Sequence, residues 1–139
     1  MQTSKFFSIA LAIILLLSAC TKTDTNNSTE RDPLMGNWKL KALWQDGQTY
    51  DVSNAACFKD SYVNVNSKNY EMLLSIPKET GGCESQKVNG AWVKKNDKYY
   101  EVQNGQEYPL NIAFNDNNET MQMSIIENGV TIIFVYRKN

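Results

Sequence analysis

The amino-acid sequence predicts an all-β fold, a sandwich or a barrel, with an up-and-down antiparallel meander favoured. Three observations predict it. Apolar and polar residues alternate with period two through most of Leu34 to Asn139, which puts one face of each segment in a core. Turn residues break that alternation about every ten residues, so strand follows strand. Short turns join most neighbours, and strands joined that way lie antiparallel, side by side. No segment has the apolar spacing of a helix.

Trp38, Leu40, Ala42 and Trp44 alternate with Asn37, Lys39 and Lys41 to give the first strand. Asp46-Gly47 is a hairpin turn, because both residues tolerate the left-handed backbone of a two-residue hairpin, and Gln48 to Val52 returns. A strand follows over Phe58 to Asn66. Ser67-Lys68-Asn69 turns it into Tyr70, Met72, Leu74 and Ile76. Pro77 has no amide hydrogen for the ladder and stops that strand. Lys78 to Lys87 reads as a loop centred on Gly81-Gly82. Val88 to Lys95 carries Trp92, Asn96-Asp97 turns, and Lys98 to Gln103 follows. After Asn104-Gly105, Tyr108, Leu110, Ile112 and Phe114 alternate. Asn115 to Asn118 turns into Met121, Met123 and Ile125, and Asn128-Gly129 turns into Val130 to Tyr136. That last strand is apolar on both sides, so its sequence does not say which side faces the core.

Composition narrows the function. The chain has 139 residues, 14 Lys+Arg against 15 Asp+Glu, three cysteines and no histidine. Length allows one domain. A net charge of −1 argues against a nucleic-acid binder, which shows a basic face. Without histidine there is no Ser-His-Asp or Cys-His catalytic set and no imidazole-ligated zinc or copper. The carboxylates are scattered, mostly in turns, and no pair stands out to flank a cleft as glycoside hydrolysis requires. No nucleophile–base constellation is visible. The expectation is a non-enzymatic protein with no cofactor and no metal.

The N-terminus reads as an address. Lys5 precedes a twelve-residue, largely apolar run, Phe6 to Leu17, which is too short to span a bilayer and fits a secretory leader. Its exit, Leu17-Ser18-Ala19-Cys20, resembles the bacterial lipoprotein signal at every position. That resemblance implies a leader over residues 1–19 and a diacylglycerol on Cys20, hence a lipid anchor in a membrane. Thr21, in place of Asp, resembles the outer-membrane sorting pattern of such lipoproteins. Residues 20–33 contain no aliphatic or aromatic side chain after Cys20. They are expected to be a flexible tether holding the domain, 34–139, roughly 20 Å from the bilayer.

With Cys20 carrying lipid, Cys57 and Cys83 remain, an even pair in an oxidising compartment. Cys57 precedes a strand and Cys83 follows the next, so two antiparallel strands bring their loops together. A structural disulfide is expected. A thiol metal site or redox pair is the alternative, but no Cys-x-x-Cys and no helix N-terminus is present to activate a thiolate.

Gly36-Asn37-Trp38-Lys39-Leu40 resembles the Gly-x-Trp opening of lipocalins. With the lipoprotein signal, the paired cysteines and a second such strand at Gly90-Ala91-Trp92, the domain resembles the lipocalin-like domains of Bacteroidetes-type lipoproteins. The resemblance implies an up-and-down β-barrel of about eight strands with an end-opening cup, and it implies no particular ligand. It also implies that Trp38 plugs the barrel base with a cation stacked on it. Arg137 is the expected partner, since first and last strands adjoin in a closed meander. The alternation points Trp38, Leu40, Tyr70, Leu74 and Trp92 inward. Leu110, Ile112, Met121, Met123 and Phe134 join them as lining of the interior.

Other features read as structure. Met121 and Met123 share a strand face, as copper(I) thioether ligands would, but no further soft ligand clusters with them and they read as core. Asp116-Asn117-Asn118 lacks the glycine and closing glutamate of a calcium loop and reads as a turn. Of Tyr99 and Tyr100, one must face outward.

Two functions remain. The first is non-catalytic binding of a small apolar or amphipathic ligand in the open end of the barrel. The second is a packed barrel whose outside or loops, around Asn54–Cys57 and Lys78–Cys83, bind an envelope protein or a glycan. Interior volume separates them: about 300 Å³ or more with apolar lining suits a carrier, and a filled interior with an exposed aromatic patch suits an interaction module.

Overall fold

The computed structural model describes residues 31–139; the expected leader, Cys20 and the tether as far as residue 30 lie outside the described residues. Nine strands follow one another: β1 (Gly36–Gln45), β2 (Gln48–Asp51), β3 (Tyr62–Val65), β4 (Asn69–Pro77), β5 (Cys83–Lys95), β6 (Lys98–Gln103), β7 (Gln106–Asn115), β8 (Thr120–Glu127) and β9 (Val130–Lys138). From β3 to β9 each pairs antiparallel with the next, and β9 closes on β1 from Trp38↔Lys138 to Gln45↔Ile132. Because β9 takes one edge of β1, β2 and β3 share the other. β3 pairs with Gly36–Lys39 and β2 with Ala42–Gln45. The closed wall is therefore eight strands, β1 and β3 to β9, with β2 flanking it. This is an up-and-down barrel, the architecture lipocalins share, and it is the fold class read from the sequence.

Turn chemistry sets the register. Asp46, Asn104 and Asn128 each adopt φ near +51° before a glycine that is also left-handed, the geometry of a type I′ hairpin. Asn96 and Asp97 do the same without glycine, at φ +49° and +58°, which asparagine and aspartate tolerate better than other side chains.

Three elements depart from the sequence reading. The pairing of β1 with β9 shifts between Leu40 and Ala42. This bulge at Lys41 reverses the faces beyond it, so Leu43 rather than Ala42 or Trp44 packs on the core. The segment expected as strand from Phe58 begins with a 3-10 turn, Phe58–Asp60, and pairing starts only at Tyr62. Cys57 ahead of it has φ +72°, and the chain there is fastened to Cys83 instead of to a neighbouring strand. Finally, the loop after Pro77 is short, since β5 starts at Cys83 and pairs with β4 from Pro77↔Cys83 to Asn69↔Ala91. Glu84 to Lys87 carry no apolar alternation because one face is solvent and the other is the wide end of the barrel.

The two ends differ. At the base, Trp38 is fully buried, donates its indole N–H to the Leu34 carbonyl at 2.8 Å, and heads a chain of aromatic contacts through Phe114 and Tyr99 to Trp92. Asp32 fastens the entering chain beneath them. Its Oδ1 accepts from the Leu34 amide and the Tyr99 hydroxyl, both at 2.9 Å, and its Oδ2 meets Lys94 Nζ at 3.2 Å. The cation over Trp38 is Lys138, 5.0 Å from the ring centroid, and not Arg137 as expected. Pairing sets Trp38 opposite Lys138 and Lys39 opposite Arg137, so Arg137 shares the outward face of Lys39. The inference that β1 meets β9 holds; the residue is one position further along.

Cys57 and Cys83 form the expected disulfide, with Cα atoms 5.4 Å apart. It ties the segment between β2 and β3 to the start of β5. Ser61 and Ser75 are buried and paired: the Ser75 amide donates to Ser61 Oγ at 2.9 Å, and Ser75 Oγ accepts from the Ser85 hydroxyl at 2.9 Å.

Candidate functional site: the barrel interior

All ten residues expected to line the interior belong to the core or pack against it. Trp38, Leu40 and Met121 are buried at the base and seal it. Tyr70, Trp92, Leu110, Ile112 and Met123 surround a cavity of about 120 Å³, together with Leu34, Val63, Val65, Met72 and Glu101. Leu74 stands at the rim, and Phe134 pairs with Met123 on β8. The sequence reading left open which of Tyr99 and Tyr100 faces inward, and it is Tyr99; it did not single out Val63 and Val65 on the short β3.

Glu101 is the one charged residue on the cavity wall. It faces inward because it pairs with Trp92 across the β5–β6 hairpin. The Tyr70 hydroxyl donates to Glu101 Oε1. Burial first, and then this hydrogen bond, push the Tyr70 phenol well above its ordinary value of 10, so it is a neutral donor at any ordinary pH. Gly90, paired with Tyr70 on β4, makes room for this arrangement. A β-carbon there would lie 2.5 Å from Tyr70 Cε1 and 2.6 Å from its hydroxyl. Glycine on an inward strand face marks a close approach, here that of the phenol on its way to Glu101.

The end opposite Trp38 is open. Among the described residues five large apolar side chains remain exposed, and three of them, Ile76, Tyr108 and Ile125, have inward parity and stand at this mouth, each 39–45% exposed. Leu74, Ile76, Glu84 and Gln86 shape a wider recess of about 430 Å³ at the rim between β4 and β5. The interior is thus neither solid nor of the size that a drug-like ligand fills. A dry cavity of about 150 Å³ takes a molecule as large as benzene, so this one takes a ring or a chain of roughly five or six carbons.

The outer wall holds a second feature. Asn37, Asn64, Glu71 and Asn89 pair in turn across β1, β3, β4 and β5, forming one row of outward side chains. With Arg31, Asn66 and Asn69 they line an open groove of about 780 Å³. Glu71 is held by the Tyr62 hydroxyl and by Lys87, and both bonds lower its carboxyl below the usual range.

Elsewhere the structure gives the remaining candidates structural roles. Met121 is buried opposite Tyr136, and Met123 faces the cavity. Asp116, Asn117 and Asn118 make a left-handed turn, with the Thr120 hydroxyl donating to Asp116 at 2.8 Å.

No protein-family model matches the chain, and no curated protein matches it. Among solved structures it is similar to lobster apocrustacyanin A1 and to apocrustacyanins C1 and C2, each at 16% sequence identity and a TM-score of 0.41, over 81% of this chain. The chain spans 64% of the length of each of those proteins.

Proposed function

We propose that this chain binds a small amphipathic molecule inside the barrel, without catalysis, and that it does so at a bacterial outer membrane, anchored by lipid on Cys20. The observation that carries the binding reading is the internal cavity: apolar on nearly all sides, sealed at the base by Trp38, reached from an apolar mouth, and provided with one polar pair, Tyr70 and Glu101. A concave apolar site with a few convergent polar groups is what small-molecule recognition uses. The volume limits the bound part to roughly five or six carbons. A longer molecule leaves the rest of itself at the rim beside Ile76 and Gln86. The anchor is supported by the leader and by the match of Leu17-Ser18-Ala19-Cys20 to a lipoprotein signal.

Native mass spectrometry of the full chain, purified gently from its own host, tests the binding reading. The expected spectrum shows an adduct that leaves on denaturation and is missing from Ile112→Phe, which fills the cavity. A bare mass from the unaltered protein, with no uptake of added benzene, overturns it. Mass analysis of the mature N-terminus tests the anchor, which requires an acylated Cys20.

The row Asn37, Asn64, Glu71 and Asn89 favours a second reading, in which the outer wall binds a glycan. Aligned amides offer donors and acceptors together, as sugar hydroxyls require. Saccharide binding that is lost in Asn64→Ala with Asn89→Ala, and kept in Ile112→Phe, would select this reading over the first.

A further inference from the structure

We infer that the ligand of the barrel is an amine: a small primary alkyl- or arylammonium whose apolar part fills the cavity and whose cationic group pairs with Glu101. This rests on the binding reading above and names the chemistry of the molecule that site selects.

The first observation is local. A carboxylate on an apolar wall is costly unless it is paired. Glu101 accepts one hydrogen bond, from the neutral Tyr70 phenol, and among the described residues no lysine or arginine forms an ion pair with it. The phenol occupies Oε1 and leaves Oε2 for a second donor. An ammonium group has three N–H donors and supplies the missing charge, whereas an alcohol supplies only a donor and a carboxylate is repelled.

The second observation is independent and concerns the whole path to the cavity. Strand pairing fixes which residues face inward from β4 to β8. Above the base, the charged ones are Glu84, Glu101 and Glu127, all acidic. Lys87 and Lys95 on the same strands face outward, where they meet Glu71 and Glu107. Lys94 and Lys138 have inward parity but stand at the base, held by Asp32 and by the Trp38 ring. Among the inward-facing residues of β4 to β8 above the base, all the charge is thus negative. A low-dielectric funnel of one sign concentrates ligands of the other.

The cavity sets the size. About 120 Å³ admits a five- or six-carbon body; Leu110 and Ile112 around it are apolar, and Met72 and Met123 adapt to shape.

Calorimetric titration of the full chain with n-pentylammonium, n-pentanol and pentanoate tests the inference. Pentylammonium is expected to bind at least about tenfold tighter than pentanol, a difference of about 1.4 kcal/mol, and pentanoate is expected not to bind. Glu101→Gln, which keeps the size of the side chain, should bring the amine-to-alcohol ratio close to one, chiefly through loss of amine binding. Tyr70→Phe, which leaves the carboxylate unpaired, should keep the preference for the amine. Pentanol binding as tightly as pentylammonium, or a preference that survives Glu101→Gln, overturns the amine assignment and leaves the binding reading standing. Binding of benzene without binding of the amine overturns it equally. If neither benzene nor any of the three enters the unaltered protein, the binding reading itself falls, and the amine assignment falls with it.

Discussion

Gly90→Ala tests the arrangement on which the polar side of the cavity depends. The glycine is not left-handed, so alanine suits its backbone, and on a strand alanine would ordinarily help by about 0.5–1 kcal/mol, because glycine loses more freedom on folding. The structure reverses that sign. The new methyl would sit 2.5 Å from Tyr70 Cε1 and 2.6 Å from Cζ and the hydroxyl, well inside contact distance along one whole edge of the ring. The ring has to swing off Glu101, and overpacking of this kind costs about 1–3 kcal/mol. The net expectation is a loss of about 1–2 kcal/mol, which for a domain of about this size lowers the thermal midpoint by about 4–16 °C. In a Tyr70→Ala background the three atoms nearest to the new methyl, all of the Tyr70 ring, are gone, and the same substitution should stabilise by about 0.5 kcal/mol. Thermal unfolding followed by circular dichroism on the four proteins of this cycle reads both signs. A raised midpoint for Gly90→Ala alone, or the same shift in both backgrounds, refutes the packing of Tyr70 across Gly90.

Further outcomes follow from the base and the staple. Replacing Cys57 and Cys83 together by alanine opens a loop with a sequence separation of 26 residues and should cost about 3 kcal/mol in urea unfolding; an unchanged midpoint would show that the bridge constrains nothing. Lys138→Ala should cost about 0.5–1 kcal/mol through the lost cation–π contact, against less than about 0.5 kcal/mol for Arg137→Ala on the outward face, and the reverse order would restore Arg137 as the partner of Trp38. Burial, and then the hydrogen bond to Asp32, push the Tyr99 phenol up to about 12. The unfolded chain ionises it near 10, so its contribution is complete below pH 10 and is lost between 10 and about 12. Lys94, whose pKa the same aspartate raises, acts in the same direction. Urea midpoints should therefore fall over that interval, and a flat profile from pH 9 to 12 would refute it.

The fold was legible because its signals are local. Asp46-Gly47, Asn104-Gly105 and Asn128-Gly129 dictate turns by backbone chemistry, and alternation between them fixes faces. Where faces went wrong, the cause was not local. Nothing in Lys39-Leu40-Lys41-Ala42 announces a bulge; it arises because β1 must pair with β9 along one edge while passing from β3 to β2 on the other. Leu43 therefore replaced Trp44 on the core side. Polar Glu84 and Gln86 hid the first turns of β5, because a strand at an open mouth has no dry face to advertise. Glu101 is the instructive omission. Asn96-Asp97 is a two-residue turn, so counting back from it sets Glu101 opposite Trp92. Having placed Trp92 inside, the sequence already placed a carboxylate beside it. The size of the cavity was not legible, because it depends on how far Tyr70, Met72 and Met123 reach across the barrel.

The three tryptophans stand in three different surroundings. Trp38 is sealed at the base, Trp92 forms part of the cavity wall, and Trp44 lies on the outer face opposite Ile133. The protein accordingly carries its own optical label. A molecule entering the cavity changes the emission of Trp92 while Trp38 keeps its environment, whereas unfolding changes both together. A singly substituted Trp44→Phe chain would remove the outer contribution, and the emission that remained would distinguish an occupied barrel from an empty one without any dye.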